Sequence, residues 1–227
     1  MAEDPARKSY LFGRQKAKKL SQRQQALVDT LLKERLIDPK SGPADQGFDH
    51  KDRPVWLEIG FGGGEHLSTM AARHKEVNFI GCEPFINGIA KLLVAIEEQN
   101  LENIRIYNND ARHVLESLGK ASLERVFLLY PDPWPKKRHH KRRFVTTETL
   151  DLLAEKLKPG SELLIASDIP DYIRTSLLAL RAHSQFSWAP EKADNWRTPP
   201  EGWPGTRYEQ KAFREGRTPT YLKITRI

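Results

Sequence analysis

The stretch LEIGFGGGEHL, Leu57 to Leu67, places Gly60, Gly62 and Gly64 between a short apolar run and the start of an amphipathic one. Glycine at such a junction lets the backbone come close to a ligand, and the helix N-terminus that follows can receive a carboxylate or a phosphate. The dinucleotide-binding fingerprint asks for Gly or Ala five positions after its first glycine. Glu65 stands there instead, a negative charge where a pyrophosphate would lie. Because a bare G-x-G-x-G also suits any tight strand-to-helix connection, its weight depends on what surrounds it.

Around that turn the chain alternates between two patterns. PVWLEIG, VNFIGCE, NIRIYNND, RVFLLYPD and SELLIASD are strand candidates of continuous apolarity, as expected for strands buried on both faces. Between them GEHLSTMAARH, NGIAKLLVAIEEQN, ARHVLESLG and TTETLDLLAEKLKPG have helical spacing. The alternation predicts an α/β protein with a doubly wound, mostly parallel sheet over residues 54–227. Near the end FSWAP is short, DNWRTPPEGWPGTRYEQKAFREG reads as a Pro/Gly/Trp-rich loop in which TRYEQKA could also form a surface helix, and TYLKITRI alternates as a closing strand. Upstream, Ser21-Gln22-Arg23-Gln24 has the form of a capping box that opens a helix to about Arg35, followed by a loop from Asp38 to Arg53, so residues 21–53 form a helix-and-loop preface.

At 227 residues the chain fits one core. Cys82 is the only cysteine, which excludes an internal disulfide and a cysteine-based zinc site. No apolar run approaches membrane-spanning length, so a soluble, cytoplasmic protein is expected. The net charge of +7 points to a polyanionic partner. Its distribution is uneven. Residues 1–25 hold seven Lys/Arg against two acids and residues 136–143 hold six against none, which leaves 24 cations against 28 acids elsewhere. Residues 1–20 are expected to be a basic flexible tail.

Acids mark the carboxyl ends of all five strand candidates: Glu58, Glu83, Asp110, Asp132 and Asp168. Any one of them could merely cap the next helix. Together, at the edge where open α/β sheets bind ligands, they disfavour a phosphate-bearing cofactor and suit a cationic one. S-adenosylmethionine carries a sulfonium and an ammonium, no phosphate, and one carboxylate for the glycine turn. Glu83 has the two acceptor oxygens needed for ribose hydroxyls, Asp110 could accept from an adenine amino group, and Glu58 would lie near the methionyl ammonium.

PDPWPKKRHHKRRF, Pro131 to Phe144, sets one carboxylate, Asp132, among three prolines and beside Trp134, then adds six cations. Pro131, Pro133 and Pro135 each fix φ and restrict Asp132. Trp134 offers either a stacking face or core filling. His139 and His140 have no Cys or acid at ligand spacing, so no metal site is expected.

With both stretches in view, the sequence resembles the tRNA (guanine-N7)-methyltransferase family from about Arg14 onward. The match rests on EIGFGGG from Glu58, Glu83, Asn109-Asp110-Ala111, PDPWPKKRH from Pro131, Ser167-Asp168 and TRYE from Thr206 to Glu209. It departs after Glu83, where Pro84-Phe85-Ile86-Asn87-Gly88 replaces the His-Pro-Gly of many members. The resemblance implies a Rossmann-like class I methyltransferase fold, and methyl transfer from S-adenosylmethionine to N7 of the variable-loop guanosine of tRNA, conventionally position 46. It implies cofactor contacts from Glu58, Gly60, Gly62, Glu83, Asn109, Asp110 and Asp132, with Asp132 also catalytic. Lys136, Asp168, Thr206, Arg207, Tyr208 and Glu209 fall on the substrate side. Asp168 and Glu209 could read the guanine N1 and N2 donors, while Tyr208 or Arg207 stacks on the base. Lys137, Arg138, Lys141, Arg142 and Arg143 are expected to meet RNA phosphates. The expected state is a monomer with no obligatory protein partner. An exocyclic-amino methyltransferase or a non-catalytic RNA-binding relative is the alternative.

Overall fold

The protein is described by a computed structural model covering residues 18–227. The expected tail lies outside the described residues as far as residue 17. In chain order the described elements are α1 (Gln22–Asp29), α2 (Leu31–Arg35), β1 (Val55–Ile59), α3 (Glu65–Arg73), β2 (Asn78–Cys82), α4 (Ile86–Gln99), β3 (Ile104–Tyr107), α5 (Ala111–Ser117) and β4 (Leu123–Leu129). Then come α6 (Thr147–Lys156), β5 (Leu157–Ser167), α7 (Pro170–Arg181), β6 (Phe186–Ser187), α8 (Asp194–Arg197), α9 (Arg207–Arg214) and β7 (Thr220–Arg226).

The strands form one sheet in the order β3-β2-β1-β4-β5-β7-β6. β1 to β5 are mutually parallel, and β7 lies antiparallel between β5 and β6. The order reverses between β1 and β4. Their carboxyl ends therefore open a crevice at the switch point, and the two quoted stretches leave the sheet there, side by side.

Alternate residues of each strand feed opposite faces. Leu57, Ile80, Val126 and Leu163 pack under α5, α6 and α7. Phe79, Ile104 and Ile106 join Leu67 of α3 with Ile89, Leu92 and Leu93 of α4. Complete burial of a side chain of this size stabilises the fold by about 1.5–3 kcal/mol, which explains why these runs are apolar on both faces.

The Ser21 capping box forms as expected, but the helix breaks at Thr30, whose hydroxyl donates back to the Ala26 carbonyl at 2.7 Å. Leu27 and Leu32 pack against α4, and Leu36 makes a bridge to Ile106 that covers the β3 edge. Two other expectations are corrected. The helix expected through Gly160 stops at Lys156, and Leu157 to Gly160 already belong to β5. Pro159 disfavours helical geometry at Lys158. The loop reading of Asp194 to Gly216 gives way to α8 and α9, and α9 is capped by Thr206, whose hydroxyl accepts from the Glu209 N–H. The helix α7, opened by Pro170 at its first turn, was not anticipated.

Candidate active site

The glycine turn is held in place from two directions. Gly62 has φ +58°, a left-handed conformation that glycine adopts without a side-chain penalty. Its N–H donates to Glu83 Oε2 at 2.8 Å, while the other Glu83 oxygen accepts from the Phe85 N–H at 2.9 Å. From the far side α4 presses against the turn. A Cβ on Gly88 would stand 2.1 Å from the Gly62 carbonyl oxygen. Glycine is thus required at position 88, whatever residues precede it in this stretch.

The turn, the loop after β4 and the start of α9 enclose a cleft of about 280 Å³ lined by Gly60, Gly62, Glu83, Tyr130, Asp132, Trp134, Arg142 and Tyr208, among others. Tyr130 and Trp134 have φ of +50° and +44°, an arrangement that costs about 1–3 kcal/mol per non-glycine residue and persists only where surrounding contacts impose it. At Tyr130 the N–H donates to the Ala166 carbonyl of β5 at 2.7 Å. The Trp134 ring is covered by the Arg142 guanidinium, 4.9 Å from its centroid, and meets His139 edge-on. Trp134 is therefore a wall of the cleft and not part of the main core.

Asp132 reaches the surface of this cleft, and desolvation by its walls raises its carboxyl above the ordinary range. Burial raises Glu83 likewise, opposed by its two backbone hydrogen bonds and reinforced by the charge of Asp132. These two acids face the same space.

The other strand-end acids are engaged elsewhere. Glu58 is buried and takes His66 Nδ1 at 2.7 Å, with that ring packed on Phe127 and Trp203. Asp110 caps α5 through the Arg112 N–H and pairs with the Arg112 guanidinium at 2.8 Å, the bland reading of a strand-end acid. Asn109 accepts from the Asp110 N–H. Asp168 holds Arg217 at 2.5 Å. The row of five is real in position, but only Glu83 and Asp132 line the cleft.

Two substrate-side expectations also change. Arg143 is corrected from a phosphate contact to an internal tie, because its side chain is 4% exposed. It donates to the Pro133 carbonyl at 2.8 Å, Thr175 Oγ1 at 2.7 Å and Asp171 Oδ2 at 2.7 Å, and thereby fastens the Asp132 loop to α7. That guanidinium, followed by Arg174, lowers the Asp171 carboxyl. Lys136, Lys137, Arg138 and Lys141 are exposed. Glu209 does not face the cleft. It is 6% exposed and accepts from Trp203 Nε1 at 2.9 Å, from Tyr130 at 3.3 Å and from the Tyr221 hydroxyl. This cage aims the next residues outward. Tyr208 and Arg207 lie over the glycine turn, with Arg207 Nη2 donating to Tyr208 Oη at 3.1 Å.

Gly88, His66, Trp203 and Tyr130 were not anticipated as parts of this assembly. The only sequence signal was the density of Pro, Gly and Trp before Thr206.

A doubly wound sheet in this strand order, with an acid-fastened glycine turn opposite a second acid at its switch point, defines a class I S-adenosylmethionine-dependent methyltransferase. Residues 52–222 match a family model described as "Putative methyltransferase". The chain is 48% identical over 219 residues to a tRNA (guanine-N(7)-)-methyltransferase of Chelativorans sp. (strain BNC1), covering 95% of this chain and 94% of the relative. It is also 48% identical over 221 residues to the protein of the same name from Azorhizobium caulinodans, covering 97% and 96%. The chain belongs to the tRNA (guanine-N7)-methyltransferase family. Among solved structures, the 16S rRNA methyltransferase KamB superposes with a TM-score of 0.57 at 14% identity over 93% of this chain and 96% of that one, a likeness of fold. An rRNA methylase from Streptococcus thermophilus gives 0.54 at 10% identity over 78% and 88%.

The cleft fits S-adenosylmethionine. A Cβ on Gly60 would meet nothing within 4 Å, so the turn opens onto free space there, and Glu83 and Asp132 supply the negative charge that a phosphate-free cation requires. Among the described residues no cluster of three metal-ligating side chains occurs, and no helix is long and apolar enough to cross a membrane.

Proposed function

We infer that the protein methylates N7 of a guanosine in tRNA, and that the target is the variable-loop guanosine at position 46. The observation that carries this reading is the near full-length identity to relatives of that name, combined with the Asp132 cleft. S-adenosylmethionine, when bound, supplies an electrophilic methyl group on a sulfonium. The guanine N7 has a lone pair and no proton, so its attack requires no general base. Positive charge develops on the purine as it attacks, and a carboxylate beside the ring offsets that charge and orients the base. Asp132 fills this role, held by its prolines and by the Arg143 tie to Pro133. Its raised pKa suits a group whose ionised form is needed only when a cation faces it.

Glu83 and the turn at Gly60 and Gly62 hold the cofactor's ribose and methionyl end. Each Glu83 oxygen keeps a lone pair for a ribose hydroxyl beyond the backbone N–H it already accepts. Asn109 and Asp110 shape the adenine side, and Glu58 acts through His66. Lys136 serves the base and Lys137, Arg138, Lys141 and Arg142 the phosphates, while Asp168 acts through its pairing with Arg217. Thr206 and Glu209 position Arg207 and Tyr208. The chain works as a cytoplasmic monomer.

The test is methyl transfer from labelled S-adenosylmethionine to an unmodified tRNA transcript and to the same transcript with the variable-loop guanosine changed to adenosine. The product is mapped by borohydride reduction and aniline cleavage. Label and cleavage at that guanosine, absent from the second transcript, support the reading. Label that persists in the second transcript overturns the position.

A further inference from the structure

S-adenosylmethionine brings one anionic group to a cleft whose acids, Glu83 and Asp132, answer its cations. Its carboxylate therefore needs a cation or unengaged N–H groups beside the glycine turn. The start of α3 is poorly suited, because Glu65 lies in its first turn and folds its own carboxylate back against the turn. A Cβ built on Gly63 would stand 2.5 Å from Glu65 Oε1. That charge repels a second carboxylate.

Arg207 supplies the cation. Its Nη2 would lie 3.7 Å from a Cβ on Gly62, next to Tyr208, which lines the cleft. The guanidinium lies over the Tyr208 ring, 4.8 Å from its centroid, and donates to Tyr208 Oη at 3.1 Å, so its direction is already set. Tyr208 is a neutral partner, and among the described residues Arg207 has no carboxylate to pair with. By contrast, Arg112 is paired with Asp110 and Arg217 with Asp168. Burial is the main influence on the Glu83 carboxyl, and the Arg207 charge is among those that oppose it, so the guanidinium is within electrostatic reach of the cofactor cleft. As the first residue of α9, Arg207 also stands at the positive end of that helix, where a cation is disfavoured unless an anion joins it.

We propose that Arg207 holds the carboxylate of S-adenosylmethionine, completing from α9 the cofactor site that the glycine turn and Glu83 begin. The proposal rests on the reading that this turn takes the methionyl end. It divides two neighbouring residues between the reactants, Arg207 for the cofactor and Tyr208 for the base.

The experiment is calorimetry on the full chain with two ligands, S-adenosylmethionine and its decarboxylated form, which keeps the sulfonium and the amine. Arg207→Ala should weaken S-adenosylmethionine about 10- to 30-fold, as for a charge-assisted pair at a partly exposed site, and leave the decarboxylated ligand within about twofold. Removing a charge near Glu83 acts on both ligands, so the difference between them reports the carboxylate. Arg207→Lys, which keeps the charge without the fork, should recover part of that difference. Because the side chain is exposed, Tm should move by no more than about 2 °C. Equal losses for the two ligands, or none for either, overturn the proposal. Loss of tRNA affinity with cofactor affinity intact assigns Arg207 to the RNA and overturns it too. Gly62→Ala tests the placement of the methionyl end separately. If it leaves S-adenosylmethionine affinity unchanged, the reading beneath the proposal fails with it; if it weakens the cofactor while Arg207→Ala does not, only the assignment of Arg207 fails.

Discussion

Replacing Gly88 by alanine tests whether α4 sets the glycine turn. The added Cβ would lie 2.1 Å from the Gly62 carbonyl oxygen and 3.2 Å from Glu83 Cγ. A carbon–oxygen contact is comfortable at about 3.3 Å, so roughly 1 Å of movement is required. Helix α4 is pinned by the fully buried Ile89, Leu92 and Leu93, so the turn and Glu83 must yield. Overpacking costs about 1–3 kcal/mol, and alanine recovers up to about 1 kcal/mol of helix propensity over glycine. The net loss of about 0–2 kcal/mol lowers Tm by at most about 8 °C. A 1 Å displacement within a binding site has a larger effect, on the order of 10²-fold. Calorimetry should therefore show S-adenosylmethionine affinity falling roughly 10- to 100-fold, while differential scanning calorimetry shows a fold that is mostly retained. Gly119→Ala, where a Cβ meets nothing within 4 Å, is the control and should change neither. A dissociation constant within twofold of wild type and an unchanged Tm for Gly88→Ala would refute the reasoning.

Asp132 and Glu83 both hold their protons to higher pH than ordinary carboxyls. Cofactor binding should thus strengthen as pH rises through that range, by up to about tenfold per unit for each proton released, and S-adenosylhomocysteine, which lacks the sulfonium, should show less dependence. Equal slopes for the two ligands would count against the pairing of carboxylates with sulfonium. The sign for stability is opposite. Because the unfolded chain ionises first, these groups remove stability as pH rises from their unfolded toward their folded pKa values, so Asp132→Asn should keep or raise Tm at neutral pH while methyl transfer falls by about 10²-fold or more. Arg143→Lys keeps the charge but not the fork of hydrogen bonds, and should cost about 2–3 kcal/mol, or about 4–12 °C in Tm, with the salt slope of tRNA binding unchanged. A flattened slope at unchanged Tm would restore Arg143 to the phosphate contacts.

The sheet was legible because strands buried on both faces leave unbroken apolar runs, and all five expected parallel strands appear where those runs lie. Its final helix was legible only as an alternative reading of TRYEQKA, since Pro and Gly on both flanks mask a short segment tied down by the Glu209 cage. Position was legible for the acids, but direction was not. Whether a strand-end carboxylate faces a ligand or the interior depends on partners remote in sequence: His66 for Glu58, Arg217 for Asp168. Arg143 shows the same limit from the basic side. Within RHHKRR nothing distinguishes it from its neighbours, and its partner Asp171 lies 28 positions away.

The cage around Glu209 ties the moment at which the site is completed to the order of synthesis. Tyr221, one of its three donors, lies on β7, the last strand in sequence, and β7 also separates β5 from β6. A nascent chain can pair its first five strands as they emerge, but the flank of β5 stays open and the lip bearing Tyr208 lacks one of the three donors of its anchor until residues 220–226 arrive. Until then the chain has an unpaired, aggregation-prone sheet edge and an unfinished cleft. The Glu209 cage and the flank of β5 therefore reach their full set of contacts only when β7 docks.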